Sequence, residues 1–367
     1  MPQAPSATNQ NEIICSCCGA KLTFAPGSLS LKCEYCGTMN EIKIDESKMA
    51  EAVKELDLEA ALNNLSDDQM EEVHAVKCNC CGAETTFQSN VVSSKCDFCG
   101  SPLTVKQDST VKQLKPKAIL PFEIESRKSQ EIYKQWIQGL WFAPNDLKEV
   151  AKLDSGLTGM YMPYWTYDAE TDTRYSGQRG EYYYTEEEYK DADGKIKTRQ
   201  VRHTRWYSTW GRVHVSFDDI LIAASNSLPS SFLNNLSKWQ LDKLVPYDEK
   251  FLSGFKTETY SIDLKTGFDQ AKDRMEDKID SAVRDDIGGD EQRVEMKNTS
   301  FSNLTFKHIL LPIWLCAFRY GDKSYRFVIN GQNGQVVGDR PYSAIKITIT
   351  VLCVIAAIVA IFMLLSK

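Results

Sequence analysis

The chain has 367 residues, 42% hydrophobic and 25% charged, the balance of a globular protein of two or three domains rather than a disordered or fibrous one. Its net charge of −7 supplies no general field for nucleic acid or anionic lipid. Ten of its 12 cysteines fall in two clusters, which argues against a disulfide scaffold and for thiolate ligands in a reducing compartment, the cytosol.

Residues 1–11 are polar, lack the apolar core of a signal peptide and read as a disordered tail. A cysteine module follows over 12–44: Cys15-Ser16-Cys17-Cys18-Gly19-Ala20, then Lys32-Cys33-Glu34-Tyr35-Cys36-Gly37. It returns over 76–106 as Cys78-Asn79-Cys80-Cys81-Gly82-Ala83, then Lys95-Cys96-Asp97-Phe98-Cys99-Gly100. One constant offset relates all matching positions, including Thr23-Phe24 and Thr86-Phe87, so the module is duplicated. Paired C-x-x-C steps with about fourteen residues between them have zinc-ribbon spacing. Two thiolates on one tight turn grip one side of a tetrahedral ion at about 2.3 Å. The glycine after each second cysteine permits the positive φ that such a knuckle often needs. Leu22, Phe24, Leu29 and Leu31 suffice for a hairpin but not for a core, so the metal must supply the folding energy, about 10–16 kcal/mol per ion. We expect Cys15, Cys18, Cys33 and Cys36 to hold one zinc ion, and Cys78, Cys81, Cys96 and Cys99 a second. Both sites, two per chain, are expected to be closed and structural. A rubredoxin-like iron site would use similar knuckles. Cys17 and Cys80 are surplus, either small knuckle residues or a reserve for ligand exchange or redox sensing.

Residues 45–75 carry Val53, Leu56, Ala60 and Leu62 at helical spacing and read as a helical linker. Residues 107–116 read as a polar linker, and 117–342 as a larger α+β domain. Within it we expect a helix over Arg127–Gly139 and strands over Gly159–Tyr167, Thr171–Thr185 and Lys197–Phe217, with a hairpin turn at Asp193-Gly194. Short helical pieces over Ser227–Glu249 should break at Pro229 and Pro246, and Ile262–Arg284 should form a long charged helix. Arg293–Thr305 alternates weakly. Pro312-Ile313-Trp314 then echoes Pro163-Tyr164-Trp165, and each follows a helix and precedes a hairpin, as a diverged duplication would leave them. Tyr325–Ile329 and Gln335–Gly338 flank a turn at Asn330–Gly334. The run Ile347–Leu365 has no charge and spans about 28 Å as a helix, so 346–366 reads as a transmembrane helix. Arg340 and Lys346 precede it, which favours a cytoplasmic location for the N-terminal domains of a single-pass protein. The expected class is multidomain α+β: two tandem four-cysteine zinc ribbons, a larger α+β domain and a C-terminal transmembrane helix.

Other chemistries find little support. Gly331, Gly334 and Gly338 lie between strands, not between a strand and a helix, so they suit a hairpin rather than a phosphate loop. His74, His203, His214 and His308 show no H-E-x-x-H spacing, and no Walker A pattern occurs. Cys316 and Cys353 sit in apolar runs and are expected to be inert. Arg199, Arg202, Arg205 and Arg212, interleaved with Trp206, Tyr207 and Trp210, have the composition of a single-strand-binding face. Glu181, Glu186, Glu187 and Glu188 face them, however, and cross-strand charge pairs account for the arginines more simply. The first arginine is Arg127, so neither cysteine module has the commonest reader of guanine. Four thiolates around one divalent ion also leave about two negative charges. Nucleic acid is not the expected partner, and no catalytic or cofactor-binding residue is assigned beyond the metal ligands.

The order of parts resembles bacterial membrane-anchored double zinc-ribbon proteins over nearly the whole chain. The shared elements are the two C-x-x-C-G ribbons, Ile119-Leu120-Pro121-Phe122, Gly159–Trp165, Leu311–Trp314, Asn330–Gly338 and the terminal apolar helix. Such proteins are often labelled general-transcription-factor-type zinc ribbons or primosomal-helicase-like, and some are linked to flotillin-like and phage-shock proteins in envelope stress. The resemblance implies a scaffold at the cell membrane. The expected function is a non-enzymatic, tail-anchored adaptor whose ribbons bind protein partners, with Leu22, Phe24 and Phe87 as apolar contact surfaces. The alternative is a membrane-held zinc-ribbon protein that binds nucleic acid in replication or transcription.

Overall fold

The computed structural model describes residues 13–44, 47, 49–50, 54–63, 69–86, 93–104, 110–147, 156–190, 192, 194–320 and 323–365. The tail 1–11, Val53, Phe87, Asp193 of the expected hairpin turn and Lys367 lie outside these residues. The protein is a mixed α+β molecule with two four-cysteine clusters near its N-terminus, one large sheet and one apolar C-terminal helix.

The first cysteine module is a three-stranded antiparallel sheet of β1 (Leu22–Ala25), β2 (Ser30–Cys33) and β3 (Met39–Glu41). After it come β4 (Leu56–Asp57), α1 (Leu58–Asn63) and β5 (Met70–Lys77). The second module contains β6 (Glu84–Thr86), β7 (Ser93–Lys95) and β8 (Pro102–Thr104), and is followed by β9 (Thr110–Leu114). Two linker expectations are corrected here. The segment 45–75 is not simply helical, because β4 joins the large sheet opposite Thr305 and Phe306, and β5 is a strand. β-Branched Val73 and Val76 suit that strand. Nor is 107–116 merely a polar linker. β9 pairs with β5 from Leu114↔Met70 to Thr110↔His74, and Gln113, buried, donates to Glu71 at 3.0 Å.

The large sheet draws on β10 (Ala118–Ile119), α2 (Ser126–Gln138), β11 (Thr158–Lys190), β12 (Ile196–Ala223), α3 (Ser230–Asn235), β13 (Val245–Pro246), β14 (Lys256–Thr257), α4 (Leu264–Ile287), β15 (Glu291–Tyr320), β16 (Lys323–Asn330) and β17 (Val336–Gly338). The strands expected separately at 159–167 and 171–185 are one strand, β11, as are the runs around 293–305 and 309–315 in β15. Register shifts at Tyr167/Ala169 and Asp168/Glu170 interrupt the alternation, which is why the sequence pattern divides β11 there. The strand order is β12-β11-β15-β10-β13, with β14 on β11 and β16 on β15. The last element is α5 (Ala344–Leu365), with no buried residue.

The sheet has two equivalent halves that exchange their first strands. β10 lies parallel to β15 (Ala118↔Ile309, Ile119↔Leu310), and β14 lies parallel to β11 (Lys256↔Met160, Thr257↔Tyr161). One offset carries Ala118, Ile119, Leu120, Phe122 and Ile124 onto Lys256, Thr257, Glu258, Tyr260 and Ile262. A second carries Met160–Trp165 onto Ile309–Trp314. The hydrogen bonds follow both offsets. Leu120 N donates to Leu310 O at 2.9 Å and Glu258 N to Tyr161 O at 3.0 Å. Trp165 Nε1 donates to Ile262 O and Trp314 Nε1 to Ile124 O, each at 2.9 Å. Met162 and Leu311, equivalent under the second offset, pair with each other, so a pseudo-two-fold axis passes between them. Each proline occupies a change of neighbour. Pro163 follows the last β14 pair and precedes the first β12 pair, and Pro312 stands likewise between β10 and β16. A proline has no N–H to give a ladder, and these are the places where the ladder is interrupted.

Both faces of the central strands are buried, so they read as unbroken apolar runs. On one face, Tyr161, Leu310, Trp314 and Cys316 pack with Tyr133 and Ile137 of α2 and with Leu22, Phe24, Leu31 and Ile42 of the first module. On the other, Met160, Met162, Leu311 and Ile313 pack with Phe98 and Leu103 of the second module and Phe232 and Leu233 of α3. α4 covers the outer part of the sheet, setting Phe268, Ala271, Met275, Ile279 and Val283 against Trp165, Tyr167, Val215 and Phe217. Their spacing is the apolar stripe of an amphipathic helix. Asp263 caps α4, accepting from Thr266 N at 2.8 Å.

Candidate metal centres

Each cysteine knuckle is a tight turn closed by the same pair of backbone bonds. Gly19 N, Gly37 N, Gly82 N and Gly100 N donate to the carbonyls of Cys15, Cys33, Cys78 and Cys96 at 2.7–2.9 Å. Cys15 N, Cys33 N, Cys78 N and Cys96 N then donate to the carbonyls of Ala20, Thr38, Ala83 and Ser101 at 2.8–3.0 Å. The four glycines have φ of 71°, 74°, 78° and 71°, the left-handed region in which a side chain would be strained.

These turns gather the eight expected ligands into two groups of four, whose sulfurs all lie within 4.8 Å of one another: Cys15, Cys18, Cys33, Cys36 and Cys78, Cys81, Cys96, Cys99. Across the knuckles, Cys15 and Cys36 Sγ are 3.6 Å apart and Cys18 and Cys33 Sγ 3.5 Å. The second group repeats this, with 3.6 Å for both Cys78–Cys99 and Cys81–Cys96. A tetrahedral ion with bonds of about 2.3 Å sets its ligands about 3.8 Å apart, so the groups fit such an ion. The separations are far too long for disulfides, which need about 2.05 Å. The donor set suits zinc, and equally the thiolate chemistry of iron. The Thr38 hydroxyl and amide draw the Cys36 thiol down to about 6, whereas burial pushes Cys81 up to about 11 and Cys96 higher still. A divalent ion supplies the charge that lets all four thiols of a set ionise together.

Cys17 and Cys80 are exposed and belong to neither group. Cys17 contributes its amide instead, to Cys15 Sγ at 3.4 Å. Cys316 is buried in the sheet and Cys353 lies exposed on α5.

The modules are seated on the sheet domain, and neither seat was evident from the sequence. Phe24 N donates to Ser253 O at 2.9 Å, Ser253 Oγ to Leu22 O at 2.6 Å, and Phe24 stands edge-on to Phe251 at 5.2 Å. Leu22 and Phe24 are buried by these contacts, which corrects their expected role as partner surfaces. In the second module Thr86 Oγ1 donates to Thr257 O at 3.0 Å, Thr259 N donates to Glu84 O at 3.1 Å, and Thr85 bridges Glu258. Asp97, inside a knuckle, accepts from Lys256 at 2.7 Å and from Thr158 at 3.0 Å. The modules thus use equivalent faces differently. Phe98 is fully buried, while Tyr35, its counterpart, is 89% exposed.

A third acidic group, Glu55, Asp168 and Asp218, also converges. Lys307, buried, already supplies a cation there, 3.1 Å from Glu55 and 2.9 Å from Asp219. Burial and the neighbouring Glu55 push Asp168 up to about 7. The network fastens the inter-module segment to β15. Its sequence signal was a lysine, Lys307, between Phe306 and His308 at the edge of the apolar run that begins at Ile309.

The arginines of the β11–β12 hairpin are engaged within it. Arg199 pairs with Glu187 at 3.2 Å, and Arg212 pairs with Asp172. Arg202 and Arg205 stack over Tyr182 and Tyr183, at 4.2 and 5.0 Å from the ring centres, and Arg205 also stands directly opposite Glu181 in the ladder.

No family model matches the chain, and no solved structure matches it. Among curated proteins, the uncharacterized protein YdjG of Bacillus subtilis (strain 168) is 24% identical over 342 residues, 91% of each chain. The similarity therefore runs through the sheet domain and is not confined to the cysteine modules.

Proposed function

We propose that this protein is a non-enzymatic adaptor, anchored in the cell membrane by α5, with two structural zinc ribbons on the cytoplasmic side. The observation that carries this reading is the contrast between Tyr35 and Phe98. The second module buries its knuckle aromatic on its own sheet domain, while the first presents the equivalent aromatic to solvent. An exposed aromatic on a knuckle held rigid by metal has the composition of an interface anchor. Four thiolates per ion leave no open position for a substrate, which favours structural over catalytic metal. The 22 residues of α5 amount to about 33 Å of helix, enough for a bilayer core. The resemblance to membrane-anchored double zinc-ribbon proteins makes flotillin-like or phage-shock proteins the first partners to examine.

The test places a photo-crosslinking residue at position 35 of the full-length chain. A partner should crosslink from there, co-purify from detergent-solubilised membranes, and be lost in Tyr35→Ala while both zinc ions remain. Absence of a crosslink, together with sub-micromolar nucleic-acid binding that falls steeply with salt and with zinc removal, would replace the adaptor by a nucleic-acid-binding ribbon protein.

A further inference from the structure

The loop after α2 is tied to the start of α5. Ser343 N donates to Phe142 O at 2.7 Å. Lys346 Nζ donates to Ala143 O at 2.7 Å and Trp141 O at 3.2 Å. Leu140, Ala143 and Leu147 are buried in the sheet domain, so the loop is fixed on both sides. Between these anchors Trp141 points outward, 77% exposed.

Lys346 is the last charge before the charge-free run that begins at Ile347. That run of nineteen residues is about 28 Å long, close to the roughly 30 Å hydrocarbon thickness, so its length leaves little freedom in depth. If Ile347 enters the hydrocarbon, Lys346 lies at the headgroups, and so does the backbone of Trp141 to which it is bonded. Tryptophan, with a large apolar body and one N–H, is the side chain enriched at that level. Tyr342, exposed and approached by Arg340 at 3.3 Å from its hydroxyl, lies immediately before α5 and adds a second interfacial ring.

We propose that Trp141 inserts into the headgroup layer of the bilayer that α5 spans, making the loop at residues 139–147 a second membrane contact. The inference rests on the membrane reading of α5. With one contact the sheet domain would swing about a single helix. With two, joined through Lys346, it is held at one tilt to the surface.

The experiment uses the full-length chain in phosphatidylcholine vesicles whose acyl chains carry bromine at a shallow or a deep position. Flotation of the vesicles reports on α5. Tryptophan emission of the wild type minus that of Trp141→Phe isolates Trp141 among the 7 tryptophans. Shallow bromine should reduce that component about twofold and deep bromine much less, with emission shifted to the blue, as for an interfacial ring. A protein that floats while the Trp141 component stays unquenched and water-like overturns this inference and leaves the anchor intact. A protein that fails to float overturns both.

Discussion

Asp97 lies 2.7 Å from the ammonium of Lys256, and it stands between Cys96 and Cys99 of the second four-sulfur group. A cysteine knuckle is thereby fastened to β14 by a charged hydrogen bond. A few residues earlier, Phe251 and Ser253 seat the first module. One short segment, Phe251–Thr259, therefore carries both modules.

Lys256→Met should remove the charged partner of Asp97 while keeping the length of the side chain. Loss of a partly buried hydrogen bond to a charged group costs about 1.5–3 kcal/mol. The denaturation midpoint should fall accordingly, and a chelator should strip metal faster from the Cys78 group than from the Cys15 group. Equal acceleration at both groups would contradict local coupling through Asp97.

Changing Cys33 and Cys36 together to serine should leave one zinc ion per chain, measured by elemental analysis of the purified protein. Cys17→Ser with Cys80→Ser should leave two. The first change should also unseat Leu22 and Phe24 from the sheet domain, at about 1.5–3 kcal/mol for each side chain returned to water. Loss of both ions from the Cys33/Cys36 variant would mean that the two groups do not bind independently.

Stability should fall between mildly acidic and neutral pH because of Glu258. Burial pushes this carboxyl from 4.5 up to about 7, although Ser225 and Ser227 donate to it. An acid with a raised folded value holds a proton in the native state that the unfolded chain has lost. The stability that this carboxyl contributes is then greatest below about 4.5, declines to about 7 and is flat above. The decline is about 3 kcal/mol at 1.36 kcal/mol per unit. Glu258→Gln should remove that share of the slope in urea titrations across this range. Asp168, pushed in the same direction by burial and Glu55, should keep its own share. An unchanged slope in Glu258→Gln would show that the carboxyl is ionised in the folded protein.

Deletion of residues 347–367 should release the protein from the membrane fraction, read by fractionation in high salt and urea. Protease added outside intact cells should leave residues 1–340 uncut. A deleted form that stays with membranes under these conditions would argue against α5 as the anchor.

The cysteine groups were legible in the sequence because their chemistry is local. A C-x-x-C-G turn sets two sulfurs and one positive φ within five residues, and no distant contact changes that. Phe24 was misread because its environment is set by Phe251, far along the chain, for which no spacing rule exists. Asp97 and Glu34 look alike as knuckle residues, and only the fold gives Asp97 a lysine. β11 was divided in two because the register shift around Asp168 breaks the alternation that marks a strand. The echo of Pro163 and Trp165 in Pro312 and Trp314 was visible, but the exchange of β10 and β14 between the halves is a matter of topology, which composition does not encode.

That exchange has a consequence for synthesis on the ribosome. β10 can pair early with β13, but its central partner, β15, arrives only when Ile309 and Leu310 have emerged, roughly 190 residues later, which at 5–20 residues per second is roughly 10–40 s. Until then the nascent chain carries β11 without β15, and its apolar run Met160–Trp165 is bare on the side where His308–Ile313 will pair. Such an edge invites pairing with any other extended chain. A transcript truncated after β12 and before β15 should therefore yield insoluble product rather than a smaller folded protein.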